Sequence, residues 1–122
     1  MRLYLNVRKS LHINDLDFIK GNGLIPVIVQ DCRSLIVLSL EYVNKTALEK
    51  TLLTKFAHYY DFNSNSTFKK GSKSDNVQRI IEVLVNCSKN ALIFQVEQKG
   101  LACESWMKSC FHNHLNETES PS

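Results

Sequence analysis

The stretch Leu24-Ile-Pro-Val-Ile-Val-Gln-Asp31 is the most strand-like segment of the sequence. It is apolar and rich in β-branched residues, a composition typical of a buried strand. Pro26 suits the start or the edge of a strand, because proline cannot donate a ladder hydrogen bond. Residues 35–43 have the same character and follow after a turn at residues 31–34. Two such strands with so short a link predict a β-hairpin.

Beyond this hairpin the sequence predicts one main helix. Asn44 is the candidate N-cap, since its side chain can accept a hydrogen bond from an early unpaired amide. Leu48 and Leu52 follow at helical spacing and are predicted to face the core. An alternative start is Thr46, which has capping-box spacing to Glu49.

The rest of the chain reads mostly as strands. Residues 77–87 alternate apolar side chains, so Ile81, Val83, Val85 and Cys87 are predicted to share one face. Other strands are predicted at 57–62 and 91–98 and, as a short final strand, at 109–114. A polar turn is predicted at 63–67, a basic loop at 68–76 and further turns at 88–90 and 99–100. The predicted class is α+β, mostly β, with one main helix.

Composition limits what this protein can be. Its 122 residues suffice for one domain, and 43% apolar with 22% charged residues is ordinary for a globular protein. We predict an N-terminal preamble at 1–22, a folded domain at 23–115 and a disordered polar tail at 116–122. No apolar run approaches the ~20 residues that span a bilayer, and the N-terminus does not resemble a signal peptide. The net charge of +3 is mild. A cytoplasmic protein without membrane or nucleic-acid partners is therefore predicted.

Three of the four cysteines are candidate metal ligands. In a reducing compartment, thiols in a small domain are more often metal ligands, catalytic groups or buried apolar residues than disulfides. Cys87, Cys103 and Cys110 could hold zinc with one position left for water. The alternative is that they are inert, small core residues. Cys32 lies in a predicted turn and is interpreted as a bystander.

Further candidate residues surround these cysteines. His112 and His114 alternate with Cys110, so a strand would place all three on one face, where either imidazole could be a fourth zinc ligand or simply solvated. Glu104, next to Cys103, could act as general base for a metal-bound water, or be a surface glutamate.

The predicted basic loop has a composition that fits phosphate. Lys69, Lys70 and Lys73 surround Gly71 there, with backbone amides available to an anion. A solvated run of charge is the alternative interpretation. His58, beside two tyrosines, is predicted to be a packed strand residue.

Taken in order, these pieces resemble phosphoribosyl-AMP cyclohydrolase, the zinc enzyme of histidine biosynthesis, from about residue 17 to 111. The matching pieces include Gly23-Leu-Ile-Pro-Val-Ile-Val-Gln-Asp31, Tyr42-Val-Asn44, Tyr59-Tyr60, Lys70-Gly71, Ser74, Asn76, Gln78, Cys87, Gln95-Val-Glu-Gln98, Ala102-Cys103 and Ser109-Cys110-Phe111. No single piece is decisive, but their shared order and spacing make the resemblance specific.

The resemblance implies an intertwined homodimer with active sites at the interface. It implies zinc held by Cys87, Cys103 and Cys110, drawn from both subunits. The implied reaction is hydrolytic opening of the purine six-membered ring, in which zinc-activated water attacks the carbon between two ring nitrogens. Lys70, Ser74 and Gln78 fall at matching positions and are candidate residues for binding this phosphorylated nucleotide.

The sequence also departs from the family pattern. The family's Asp-Cys-Asp-x-Asp motif, which binds magnesium, reads Asn86-Cys87-Ser88-Lys89-Asn90 here. Magnesium relies on anionic oxygen ligands, so no magnesium site is predicted at Asn86, Ser88 and Asn90.

Two further departures concern a histidine and two arginines of the family pattern. The family's histidine is replaced by Glu104, and its Ser-Arg-Ser-Arg segment reads Asp61-Phe-Asn-Ser64. Arginine binds phosphate through two parallel hydrogen bonds, so phosphate recognition is expected to be weaker. The departures predict a cyclohydrolase of reduced activity. The alternative is a non-catalytic, zinc-stabilised dimer that binds a nucleotide or a protein partner.

Overall fold

The main sheet and a smaller one enclose a single core. The computed structural model describes residues 10–71, 76–99 and 108–116. In chain order its elements are a 3-10 turn Ile13–Asp15, β1 Ile25–Asp31, β2 Val37–Val43, α1 Lys45–Thr54, β3 His58–Asp61, β4 Ser66–Lys69, β5 Gln78–Val85 and β6 Leu92–Gln98. The predicted α+β class, mostly β with one main helix, is confirmed.

The main sheet has four strands in the order β2-β1-β6-β5. β1 and β2 form the predicted antiparallel hairpin. β1 also pairs with β6 in parallel, and β6 pairs with β5 in antiparallel fashion. β3 and β4 form a separate antiparallel pair that packs with α1 near β2. β2 and β5 are therefore the two edges of the main sheet.

One face of the main sheet carries the core. Because side chains alternate along a strand, every second residue of β1 and β6 points inward. α1 and β3 cover this face with Leu48 and Tyr59. The fully buried residues of these two strands are Ile25, Val27, Val29, Leu92, Phe94 and Val96.

The helix begins where its cap predicts. The Asn44 side chain accepts a hydrogen bond from the Ala47 amide at 2.8 Å, and the alternative start at Thr46 is not used. Leu48 is buried as predicted, but the prediction for Leu52 is wrong because that side chain is 39% exposed.

The inward position beside Leu48 belongs to Thr51. The Thr51 hydroxyl donates to the Ala47 carbonyl at 2.9 Å and accepts from the His58 amide at 2.9 Å. This contact binds α1 to β3 and leaves Leu52 at the rim of the core. His58 is buried in β3, which confirms it as a packed strand residue.

Two short segments were predicted wrongly. Residues 66–69 form β4 rather than turn and loop, because they pair with β3, and Phe68 lies beside Tyr59 at a ring distance of 6.1 Å. Residues 109–114 form no strand. Instead, the Ser109 hydroxyl donates to the Val37 carbonyl at 2.6 Å and tethers this segment to the start of β2.

A β-bulge alters the predicted face of β5. The pairing register with β6 shifts between Ile80 and Glu82, and an extra residue there reverses the alternation of side chains. Ile80 therefore packs on the core with Val83 and Val85, whereas Ile81 is 47% exposed. The prediction that Ile81 shares a face with Val83 and Val85 is wrong for this reason.

The opposite face of the sheet carries an apolar row that crosses all four strands. The strand registers align Leu40, Ile28, Ile93 and Leu84 side by side. Leu40 is 48% exposed and Ile28 is 40% exposed. Leu84 and Ile93 are partly exposed. We call these four residues the exposed apolar row.

The segment before β1 packs onto the domain. Ile13, Leu16 and Phe18 are partly buried against the core, and the Asp17 amide donates to the Lys89 carbonyl at 2.8 Å. Across the described residues, we find no helix with the length and apolarity required to span a bilayer.

A buried chain of hydrogen bonds links β3, β5 and β6. The Tyr59 hydroxyl donates to Gln78 Oε1 at 2.5 Å, and Gln78 Nε2 donates to Gln98 Oε1 at 2.6 Å. Burial raises the pKa of Tyr59 well above its usual value, with a smaller contribution from Glu41, so the hydroxyl stays a donor at neutral pH. Among the described residues, none forms a hydrogen bond with Gln98 Nε2, which is also buried.

Replacement of Tyr59 tests this chain of hydrogen bonds. Tyr59→Phe leaves the buried Gln78 oxygen without its donor, and we expect it to cost about 1–3 kcal/mol of unfolding free energy. Tyr60→Phe is the control, because the Tyr60 hydroxyl donates to Asn65 on the surface at 2.9 Å. Urea denaturation of both variants measures the difference. If both variants lost the same unfolding free energy, the buried hydrogen bond of Tyr59 would contribute no more than the surface one of Tyr60.

Candidate metal and nucleotide site

Cys87 lies in a tight turn directly after β5. The Asn86 side chain closes this turn: its Oδ1 accepts from the Asn90 and Ala91 amides, both at 3.0 Å. Asn86 Nδ2 donates to Asn90 Oδ1 at 2.8 Å. Cys87 is exposed on the turn, where its thiol is accessible to a ligand.

The same hydrogen bonds are relevant to the prediction that this turn forms no magnesium site. The side-chain oxygens of Asn86 and Asn90 already accept hydrogen bonds within the turn, and both groups are neutral. Ser88, the third position, supplies only a hydroxyl. This donor set has no anionic oxygen, so the residues present do not fit magnesium.

Cys110 is held near the other edge of the sheet. Its amide donates to the Leu38 carbonyl of β2 at 2.7 Å. β2 and β5 are separated by β1 and β6, and three strand spacings amount to about 14 Å. A zinc–sulfur bond is only about 2.3 Å long, so Cys87 and Cys110 of one chain cannot reach the same ion.

The other predicted ligands are placed as follows. Cys103, Glu104 and Ser74 lie outside the described residues. His112 and His114 follow Cys110 in an irregular segment, so the strand alternation that would put them on its face is absent. Within residues 10–71, 76–99 and 108–116, no three His, Cys, Asp or Glu side chains cluster as metal ligands. Cys32 is half-buried in the turn after β1, and its amide donates to the Val96 carbonyl at 2.9 Å.

A cavity of about 940 Å³ opens beside Cys87. Its size is near the upper end of the usual range for small-molecule sites. Its polar lining includes His12, Glu82, Asn86 and Lys89, and its apolar lining includes Ile13, Leu16, Leu48, Val83, Val85 and Leu92. An exposed thiol, an apolar floor and a charged rim therefore meet in one place. Sequence reasoning missed His12 and Glu82 because nothing in their local pattern marks them.

Lys70 faces a carboxylate that sequence reasoning also missed. Glu41 points to the core side of β2, where burial raises its pKa, opposed by a hydrogen bond to Ser39 and by the charge of Lys70. The Lys70 amide donates to the Ala57 carbonyl at 3.0 Å, which fixes the end of β4. The pattern of β2 could have revealed Glu41, because it lies two residues before the buried Val43 and so shares its face.

Gln78 holds a structural position in this fold. Its side chain is 1% exposed, and its amide oxygen and nitrogen bind Tyr59 and Gln98. Contact between Gln78 and a ligand stays a prediction.

These features define a small α+β domain with a candidate thiolate site beside a ligand-sized cavity. Residues 39–112 match the family model described as phosphoribosyl-AMP cyclohydrolase. The chain belongs to the phosphoribosyl-AMP cyclohydrolase family, as its sequence motifs indicate.

Several relatives match most of the chain. The phosphoribosyl-AMP cyclohydrolase of Nitrosopumilus maritimus is 44% identical over 103 residues, covering 84% of this chain and 95% of the relative. That of Archaeoglobus fulgidus is 46% identical over 97 residues, covering 80% and 90%. The histidine biosynthesis bifunctional protein HisIE of Pyrococcus furiosus is 42% identical over 107 residues, covering 88% of this chain and 51% of that protein.

The Glu41 carboxyl makes stability depend on pH. Its folded-state pKa is raised. Burial of its charge therefore costs no stability below the unfolded pKa of about 4.3, where the carboxyl is protonated, and stability falls as the pH rises from there through the folded pKa. Glu41→Gln removes the ionisation, so we expect a higher melting temperature than wild type at neutral pH and no such gain near pH 4. Thermal melts at several pH values measure this. A gain independent of pH would contradict the assignment to Glu41.

Proposed function

We propose that this chain is a phosphoribosyl-AMP cyclohydrolase of histidine biosynthesis, which opens the six-membered purine ring of its substrate by hydrolysis. The observation that carries the proposal is the 44% identity to such an enzyme over 84% of this chain and 95% of the relative. The cavity beside Cys87 supports it, because its apolar floor suits a planar base and its rim suits charged groups.

The proposed active unit is a homodimer. Cys87 and Cys110 lie near opposite edges of the sheet, so a site that uses both needs a second chain. The exposed apolar row offers a surface for that second copy, since apolar side chains open to water across four strands gain from being covered. The interface proposed here therefore includes Ile28 and Leu40.

Cys87, Cys103 and Cys110 are the proposed zinc ligands. Thiolates suit zinc, and Cys87 and Cys110 are both exposed. When bound, zinc supplies Lewis-acid activation of water at neutral pH.

Protein side chains account for the rest of the proposed chemistry. Glu104 is the proposed acceptor for the proton that the attacking water loses. Lys70 and Ser74 are proposed to bind phosphate, with part of the Lys70 charge offset by Glu41. Gln78 is proposed to act through Gln98, whose Nε2 is a buried donor with no acceptor among the described residues. The apolar floor of the cavity excludes competing water from the base.

A non-catalytic binder is the second candidate function. It is favoured by the position of Phe62, which replaces a family arginine and packs edge-to-face on Tyr42 and Tyr60 at ring distances of 5.4 and 5.3 Å. That aromatic cluster cannot form the paired hydrogen bonds that arginine gives to phosphate. In this case the zinc-stabilised dimer would bind a nucleotide or a protein partner without turnover.

Turnover decides between the two functions. Zinc-loaded protein is incubated with phosphoribosyl-AMP, and Cys103→Ala is the control. The enzyme proposal expects turnover well above the control and growth of a histidine auxotroph that lacks its own cyclohydrolase. Turnover no higher than that of Cys103→Ala would contradict the enzyme proposal and favour the non-catalytic binder.

A subunit-mixing experiment tests the shared zinc site. We expect about one zinc per chain in the wild type and strong loss of zinc in Cys87→Ser and in Cys110→Ser. When the two variants are unfolded together and refolded, each mixed dimer regains one site built from an intact Cys87 and an intact Cys110. Random pairing then restores about a quarter of the wild-type zinc. A site within one chain predicts no recovery at all.

A further inference from the structure

We infer that Lys89 supplies, as a fixed part of the chain, the positive charge that a bound divalent cation would otherwise bring to this site, and that it binds the phosphate of the nucleotide. The inference rests on the proposed function, which makes the ligand a phosphorylated nucleotide. Its basis is the misfit of residues 86–90 to magnesium together with the place of Lys89 in the same turn.

The turn fixes the backbone of Lys89 from both sides. The Lys89 amide donates to the Asn86 carbonyl at 3.1 Å, and the Lys89 carbonyl accepts from the Asp17 amide at 2.8 Å. Its φ is 60°, a left-handed conformation that side chains other than glycine adopt at a cost. The surrounding bonds hold this conformation, so the side chain starts from a defined position.

The side chain of Lys89 shares the cavity with Cys87. Both line the same space, together with Asn86, which belongs to the same turn. A nucleotide whose base lies on the apolar floor near the Cys87 thiol has its phosphate within reach of a long, flexible lysine. Glu82 is the carboxylate in the described lining, and it lies on β5 rather than in the turn. Within the described residues, no carboxylate forms a salt bridge with Lys89.

The charges of the residues in this turn explain why a lysine is compatible with position 89. A turn with three carboxylates repels phosphate until a dication binds. The turn here contains Asn, Cys, Ser, Lys and Asn, so it has no carboxylate, and Lys89 contributes +1 beside Cys87, the proposed zinc ligand. Ammonium binds phosphate as a point charge and needs no fixed geometry. The site is therefore expected to attract nucleotide phosphate without magnesium.

Two ligands separate the effect on phosphate from the effect on the base. Calorimetry measures AMP and adenosine binding to zinc-loaded wild type, Lys89→Gln, Lys89→Arg and Lys20→Ala. Lys20 is the matched control, since it is an exposed lysine that does not line the cavity. Lys89→Gln is expected to weaken AMP binding by about tenfold or more and to leave adenosine binding unchanged. Lys89→Arg keeps the charge and is expected to stay within a few-fold of wild type.

Magnesium dependence gives the second measurement. Zinc-loaded protein is freed of magnesium by gel filtration, and its kcat/KM for phosphoribosyl-AMP is measured before and after magnesium is added. We expect a change below about twofold, because no anionic ligand set is present. Stimulation beyond about tenfold overturns the inference. The inference is also overturned if Lys89→Gln weakens AMP binding and adenosine binding equally. It is overturned as well if Lys89→Gln weakens AMP binding no more than Lys20→Ala does.

The proposed function can fail separately. If zinc-loaded wild type shows no turnover above Cys103→Ala, the cyclohydrolase proposal fails, and the comparison of AMP with adenosine still decides whether Lys89 binds phosphate. Thermal melts confirm that Lys89→Gln is folded. Lys89→Met, which removes the charge and keeps the length, is the second variant and is expected to match Lys89→Gln.

Discussion

The parallel pairing of β1 with β6 is the constraint on which this structure depends. Gln30 and Gln95 are 65 positions apart, yet they lie side by side and share a hydrogen bond of 3.0 Å. This pairing closes the chain on itself and buries Val29 and Phe94 between the main sheet and the layer of α1 and β3. It also sends β2 and β5 to opposite edges. The separation of the two thiols is thus a direct result of the sheet order.

Features that depend on neighbouring residues could be predicted from the sequence. The hairpin follows from two apolar β-branched runs with a short link, and the helix start follows from the side-chain oxygen of Asn44. Features that depend on a distant partner could not. The bulge after Ile80 exists only in the register between β5 and β6, and β4 is a strand because β3 lies beside it.

The site shows the same division. The motif spacing was sufficient to select Cys87 and Cys110 as candidate ligands, and the family match agrees with the motifs on which that choice rested. Their placement near opposite edges required the full topology. The turn around Cys87 shows what the substitutions do locally. Two asparagines close the turn by donating and accepting at once, which two carboxylates at neutral pH cannot do, because both would be acceptors with like charge.

In the proposed dimer, the exposed apolar row makes this protein's stability depend on its concentration. In a lone chain, Ile28 and Leu40 of this row are exposed to water. Exposed apolar surface of this kind favours association with a complementary surface. In the proposed dimer, mass action therefore acts on folding, so dilution alone would destabilise the chain. In a cell that makes little of this protein, a larger fraction would be monomeric and so more readily unfolded and degraded by proteases. The expression level would then affect how much of the protein stays folded, even with no change in its sequence.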